Sequence, residues 1–133
     1  MKQQSLTDQE RNILGAYRMQ RAKDTLSEAD NLIEAGFFNA AVNRLYYACY
    51  YAVIALLIKN NIVAQTHQGV KQMFSLHFVA NNKISKQQSA FYSRLFNDRL
   101  RGDYDDFVYF NREITVALRS QAEEFIKITE NEM

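Results

Sequence analysis

The sequence predicts an all-α fold, an up-and-down bundle of four to five helices forming a single domain over residues 1–133, and three observations carry the prediction. The chain contains no proline and only four glycines, so long helices meet no obligatory break and tight hairpins have few sites. Apolar residues recur mostly at spacings of three and four, as in Ile13, Tyr17, Ala22, Leu26, Ala29 and Ile33, which is the period of a helix with one buried face. The apolar-polar alternation of a half-buried strand is sustained nowhere.

The first helix is predicted from about Thr7 to Ala35, with Gly36 where a left-handed residue would end it. Asn39 is the predicted cap of a second helix, about Ala40 to Asn60. That helix reads AAVNRLYYACYYAVIALLIK and is apolar on nearly every side, so it is expected at the centre of the molecule, ended by Asn60 and Asn61. Thr66 is the predicted cap of a third helix to about Ala80, where Val70, Phe74 and Phe78 form one core stripe. Ser85 with Gln88 has capping-box spacing and starts a fourth helix through Phe91, Leu95 and Phe96 towards Leu100, with Gly102 as its stop. The segment GDYDDFVYF reads as a short turn. Asn111 then caps a last helix expected to face Ile114, Ala117, Leu118, Phe125 and Ile128 inward. Short connections make successive helices antiparallel neighbours.

Composition narrows the function. Apolar residues at 47% and charged residues at 23% are globular proportions. A net charge of +1 supplies no global field towards nucleic acid or anionic lipid, so any RNA contact has to be local. The lone Cys49 cannot form an internal disulfide and is read as core packing, and the start MKQQSLTDQERN lacks an apolar leader core. A reducing, cytoplasmic setting is therefore expected. The strongly apolar run from Leu45 to Ile58 is about fourteen residues, short of a bilayer span, so no membrane contact is expected.

Arg44 stands out because it lies inside the most apolar helix and cannot shed its charge. Helical spacing sets it on one face with Tyr47 and Tyr51, whose rings can stack on a guanidinium. Two readings stand: a buried ion pair tying this helix to the acidic turn, or a ligand-binding or catalytic role. A second constellation gathers Arg99, Arg101, Asp103, Tyr104, Asp105 and Asp106 at a helix end. These are ordinary helix-terminus and turn residues, or else a site where an arginine stabilises charge on a phosphodiester while a phenol or carboxylate handles a proton. His67, at the start of the third helix, is either hydrogen-bonded framework or a site residue, and His77, flanked by Leu76 and Phe78, is read as a surface or satisfied core residue. Cys and His clusters, glycine-rich phosphate loops and a serine elbow are absent, so no metal and no cofactor are expected. Eight tyrosines and nine phenylalanines are more than one small core needs, which points to a symmetric helix-pair homodimer.

The segments FFNAAVNRLYYACYYAVIALL, THQGVKQMFSLHFV and FNDRLRGDYDDF together resemble the HEPN domain (higher eukaryotes and prokaryotes nucleotide-binding), in its small prokaryotic branch. Asn43, Arg44, Tyr46, Tyr47 and Ala48 carry the arginine-tyrosine-tyrosine-alanine signature, His67 and Gly69 its histidine-x-glycine, and Arg99, Asp103 and Tyr104 its arginine-then-aspartate-tyrosine turn. The resemblance covers about residues 10–130.

It implies a helical bundle that often dimerises and is often encoded beside a minimal nucleotidyltransferase as a toxin-antitoxin pair, the HEPN member typically being a metal-independent ribonuclease. The family motif is an arginine, about four to six intervening residues, then a histidine, side chains that cleave RNA with its own 2′-hydroxyl as nucleophile. In this sequence the corresponding region after Arg99 holds Asp103 and Tyr104, and after Arg44 the position is Tyr51. The expectation is a dimer whose groove, lined by Arg44, Tyr47, Tyr51, His67, Arg99, Asp103 and Tyr104, engages RNA or a nucleotide, with Arg99, Asp103 and Tyr104 catalytic if it cleaves. The alternative is a non-catalytic module that binds a nucleotidyltransferase partner.

Overall fold

A computed structural model of the protein describes residues 6–133; the polar start of the chain falls in part on residues 1–5, outside the described residues. Helix α1, Asp8–Ala35, begins on a reciprocal cap in which the Thr7 hydroxyl accepts the Glu10 amide at 3.1 Å and the Glu10 carboxylate accepts the Thr7 amide at 2.9 Å. It ends at Gly36, whose φ of 86° lies in the left-handed region that a residue without Cβ enters freely. Helix α2, Phe38–Lys59, starts earlier than the predicted Ala40, and Phe37 holds its cap position without a side-chain bond. Asn39 is therefore not a cap. Its Nδ2 donates to the carbonyls of Gly102 (3.3 Å) and Val108 (2.8 Å) and its Oδ1 accepts the Phe110 amide (2.9 Å), so it satisfies three backbone groups of a distant turn instead of one helix amide.

Helix α3, His67–Phe74, is capped by Thr66, which accepts the Gly69 amide at 2.9 Å, and it runs on into a π-helical turn, Ser75–Val79. Helix α4, Lys86–Tyr104, is capped by Ser85, and α5, Arg112–Asn131, by Asn111, which accepts the Ile114 amide at 2.8 Å. Gly102 does not stop α4. Its role is close approach: a Cβ there would come 3.0 Å from the Phe110 ring, so the helix passes through Gly102 and ends at Tyr104. Among the described residues the fold is five helices and no strand.

Helix α2 packs against α1, α4 and α5, and α5 also meets α1. Contacts of Asn12 with Lys59 and of Arg21 with Tyr51 fix α1 antiparallel to α2, and those of Asn43 with Asp103 and of Tyr46 with Arg99 do the same for α4. Arg119 grips Asp30 through two bonds of 2.8 and 3.0 Å, and Lys23 meets Glu130 at 2.8 Å, which pins α5 along α1. Leu45, Tyr46, Ala48, Cys49, Ala52, Val53, Ala55 and Leu56 of α2 are all fully buried, and each large apolar side chain so placed contributes about 1.5–3 kcal/mol. Burial also raises the Cys49 thiol far above its ordinary pKa, which makes it inert packing.

The outer parts of two predicted faces turn to solvent. On α1, Ile13 and Tyr17 are exposed, and the inward positions are Gly15, Met19, Ala22, Thr25, Leu26, Ala29 and Ile33. On α5, Leu118 and Phe125 face inward, Ile128 is half-buried, and Ile114 and Ala117 are exposed, their inward places taken by Thr115, Ala122 and Ile126. Helix α2, at 22 residues, is longer than its apolar run suggested and meets the length and apolarity of a membrane span, yet 61% of its most apolar window is covered by the other helices, as in the core helix of a bundle.

Candidate functional site

The faces of α2 decide where charge can sit. One side is sealed in the core, while Arg44, Tyr47, Tyr51, Ile54 and Ile58, repeating at three and four, form a half-buried stripe. The Arg44 guanidinium lies 5.0 Å from the centre of the Tyr47 ring, and its Nε and Nη2 donate to Asn43 Oδ1 at 3.1 and 2.9 Å. Among the described residues no carboxylate comes within salt-bridge distance of it. The direct ion pair to the acidic turn is thus not what ties Arg44 down. The tie runs through Asn43, whose Nδ2 donates to Asp103 Oδ2 at 2.9 Å.

Because α4 continues past Gly102, Arg99 and Asp103 stand one turn apart on the same helix, with Nη1 at 3.9 Å from Oδ2. The Arg99 guanidinium is enclosed by the rings of Tyr46 (5.0 Å), Phe96 (5.3 Å) and Tyr47 (5.6 Å), and the residue is only 8% exposed. Its Nε is buried with no hydrogen-bond partner among the described residues, an uncompensated donor that costs about 1–3 kcal/mol. Arg44, Asn43, Asp103 and Arg99 therefore form one continuous polar chain, and the two guanidiniums share the Tyr47 ring.

His67 reaches the same place from α3. Its Nδ1 lies 2.8 Å from the Tyr46 hydroxyl, its ring stacks on Tyr50 at 4.3 Å and meets Tyr47 edge-on at 5.8 Å. Burial first, and the Arg99 cation second, hold the His67 pKa below its ordinary value. Burial likewise raises the phenols of Tyr46 and Tyr50, so both stay protonated.

The residues singled out by sequence do not all converge. Arg44, Tyr47, His67, Arg99 and Asp103 come together. Tyr51, though on the Arg44 face, packs under Arg21 of α1 at 5.2 Å. Tyr104, the last residue of α4, is 74% exposed and makes no hydrogen bond among the described residues. Arg101 turns back to Asp98 at 3.8 Å. Sequence reasoning assigned no part in the site to Asn43, Tyr46 or Phe96; the signal for the asparagine was its place beside the one arginine of an apolar helix, which needs a neutral acceptor to stay there. The described residues contain no group of three His, Cys, Asp or Glu arranged to hold a metal ion.

Residues 16–132 match the family model described as the HEPN domain. A "UPF0332 protein" of Thermotoga maritima is 36% identical over 114 residues, covering 86% of this chain and 86% of its own. "Putative toxin MJ0142" of Methanocaldococcus jannaschii is 30% identical over 95 residues, covering 71% of this chain and 65% of its own. The solved structure of TT1696 from Thermus thermophilus superimposes with a TM-score of 0.77 over 90% of this chain and 98% of that one; at 13% identity the likeness is one of fold.

Proposed function

Since the chain belongs to the HEPN domain family, we propose that it is a toxin-type HEPN protein whose groove between α2 and the end of α4 engages single-stranded RNA. The observation that supports this most is Arg44: a half-buried guanidinium held by a neutral amide and a tyrosine ring, with no carboxylate to satisfy it. Such a cation is preorganised for a phosphate oxygen, and the neighbouring Tyr47 offers a face on which a base can stack. Asp103 bridges Asn43 and Arg99 and keeps the cluster oriented, while the exposed Tyr104 stands at the rim. The far end of that α2 stripe, Tyr51, Ile54 and Ile58, is the surface we assign to a homodimer, and an antitoxin of the nucleotidyltransferase type is the proposed partner.

The test is equilibrium binding of a fluorescent single-stranded RNA. Arg44→Gln should weaken binding about tenfold and make the dependence of log affinity on log salt shallower by about one. Unchanged affinity and slope in a folded variant would remove Arg44 from the site, and absence of binding by the wild type at low salt would remove the reading.

A second reading draws on Arg99. A guanidinium 8% exposed and walled by three rings is suited to holding helices together, which favours a non-catalytic interaction module acting through a protein partner. On that reading RNA binding is absent.

A further inference from the structure

Helix α1 carries Arg11, Arg18 and Arg21 along one side of its first half, where it packs over the C-terminal half of α2, and each is held differently. Arg11 pairs with Asp8 and donates to the Leu6 carbonyl at 2.6 Å. Arg21 lies over the Tyr51 ring at 5.2 Å. Arg18, between them, has no carboxylate within salt-bridge distance among the described residues, and its Nε is buried with no hydrogen-bond partner. The helix itself offers no remedy, since the positions three and four residues away are Leu14, Gly15, Arg21 and Ala22.

Arg18 forms one wall of a cavity of about 410 Å³ between α1, α2 and the connection into α3. The other walls are mainly apolar: Leu14, Leu57, Ile62, Ala64 and Val70. Tyr50 also lines it, its ring held by stacking on His67 at 4.3 Å. Burial raises the Tyr50 phenol and the Arg18 cation works against that rise, so the hydroxyl stays protonated beside the guanidinium.

We infer that this cavity binds a small amphiphilic carboxylate, its anionic head on Arg18 and its apolar body against Leu57, Ile62 and Val70. The volume falls in the range of small-molecule sites, about 300–1,000 Å³. Charge sets the head group. A guanidinium cannot neutralise itself, and one whose Nε is already stripped of water gains from an anion on its remaining nitrogens. Arg11 is compensated by Asp8, so the walls offer one uncompensated cation and suit a single negative charge; a doubly charged phosphate would bury a charge without a partner. Glu10 is engaged by the Thr7 cap, and residues 1–5, MKQQS, contain no acidic side chain, so this end of the chain brings no spare carboxylate of its own.

The inference is independent of the RNA reading, since the cavity lies along α2 beyond Asn43 and Arg44. Ile54 and Ile58 are common to the cavity and to the surface assigned to the homodimer, so the two adjoin; Arg18 and Ala64 lie outside that surface.

The experiment titrates the whole methyl-labelled chain with octanoate, without RNA, and reads methyl NMR shifts and melting temperature. Wild type should show saturable shifts at Leu57, Ile62 and Val70 with one common affinity, and a melting temperature that rises with octanoate. Octylamine, with the same chain and the opposite charge, and neutral octanol should each bind at least about tenfold more weakly. Arg18→Met should weaken octanoate by about tenfold or more while octanol stays within about twofold, so that the preference for the anion disappears. Ala64→Phe, which adds a ring to the wall, should block both. No saturable shift in wild type, shifts confined to other surfaces, or octylamine or octanol bound as tightly as octanoate would overturn the assignment. So would a folded Arg18→Met that keeps the wild-type preference; if that variant does not fold, undiminished octanoate binding by folded Ala64→Phe decides against the cavity in its place.

Discussion

His67 and Arg99 share three aromatic neighbours, Tyr46, Tyr47 and Phe96, and the imidazole is affected by that shared burial and by the cation. Its pKa is lowered in the fold, so around pH 6 the unfolded chain binds more protons at this residue than the folded one. The associated stability is therefore fully present above the unfolded value near pH 6.5 and is lost as pH falls below it. Arg99→Gln removes the repulsion and should raise the His67 titration midpoint measured by NMR, though not fully to the ordinary value because burial remains. A midpoint unmoved by that change would mean the guanidinium does not act on the ring. At this scale the sequence revealed which residues were unusual but not how each was satisfied. Arg44 was legible as a charge needing a partner; that the partner is the adjacent Asn43, relayed to an aspartate 60 residues away, depends on tertiary distance that helical period does not encode.

Helix starts were legible wherever one side chain meets an amide three residues on, since Thr66, Ser85 and Asn111 all cap as their spacing indicates. The exceptions are where a distant element competes. Asn39 serves the α4–α5 turn, and Gly102 continues a helix because the Phe110 ring occupies the space a Cβ would need. The second case matters for the site, as ending α4 before Asp103 would take away the one-turn spacing that brings its carboxylate to Arg99. Gly102→Ala should then act against two tendencies, gaining helix propensity of about 1 kcal/mol and losing about 1–3 kcal/mol by crowding Phe110. A net loss is expected, read as a lower melting temperature, with Phe110 as the neighbour most disturbed. A melting point raised by the substitution would show that the ring yields and that Gly102 is not needed for the approach. The exposure of Ile13, Tyr17 and Ile114 has a simpler cause: they lie on the outward face of helices whose neighbouring positions Gly15, Met19, Thr115 and Leu118 are buried, and an apolar residue alone does not say which face a helix turns inward.

For the molecule as a whole, the bundle itself was plain from helical spacing and the absence of proline, because a helix apolar all round has to be central in a small domain. Helix α2 is covered on most of its surface and leaves the stripe from Arg44 to Ile58 half-open. If the part of that stripe from Tyr51 to Ile58, beyond the groove residues, joins two copies, sedimentation should report a dimer, and Tyr51→Arg, which sets a second cation beside Arg21, should give a folded monomer. A wild-type monomer at high concentration would assign the stripe to another partner. The central claim is that the α2–α4 polar chain is a ligand groove and not only a brace between helices. Its most direct test is the NMR signals of the Arg44 and Arg99 Nε–H groups and of His67 while a short single-stranded RNA is added. The account predicts saturable shifts at Arg44 and His67 with one common affinity, and none on the outer face of α5. Shifts confined to other surfaces, or no shift at any of the three groups, would contradict it.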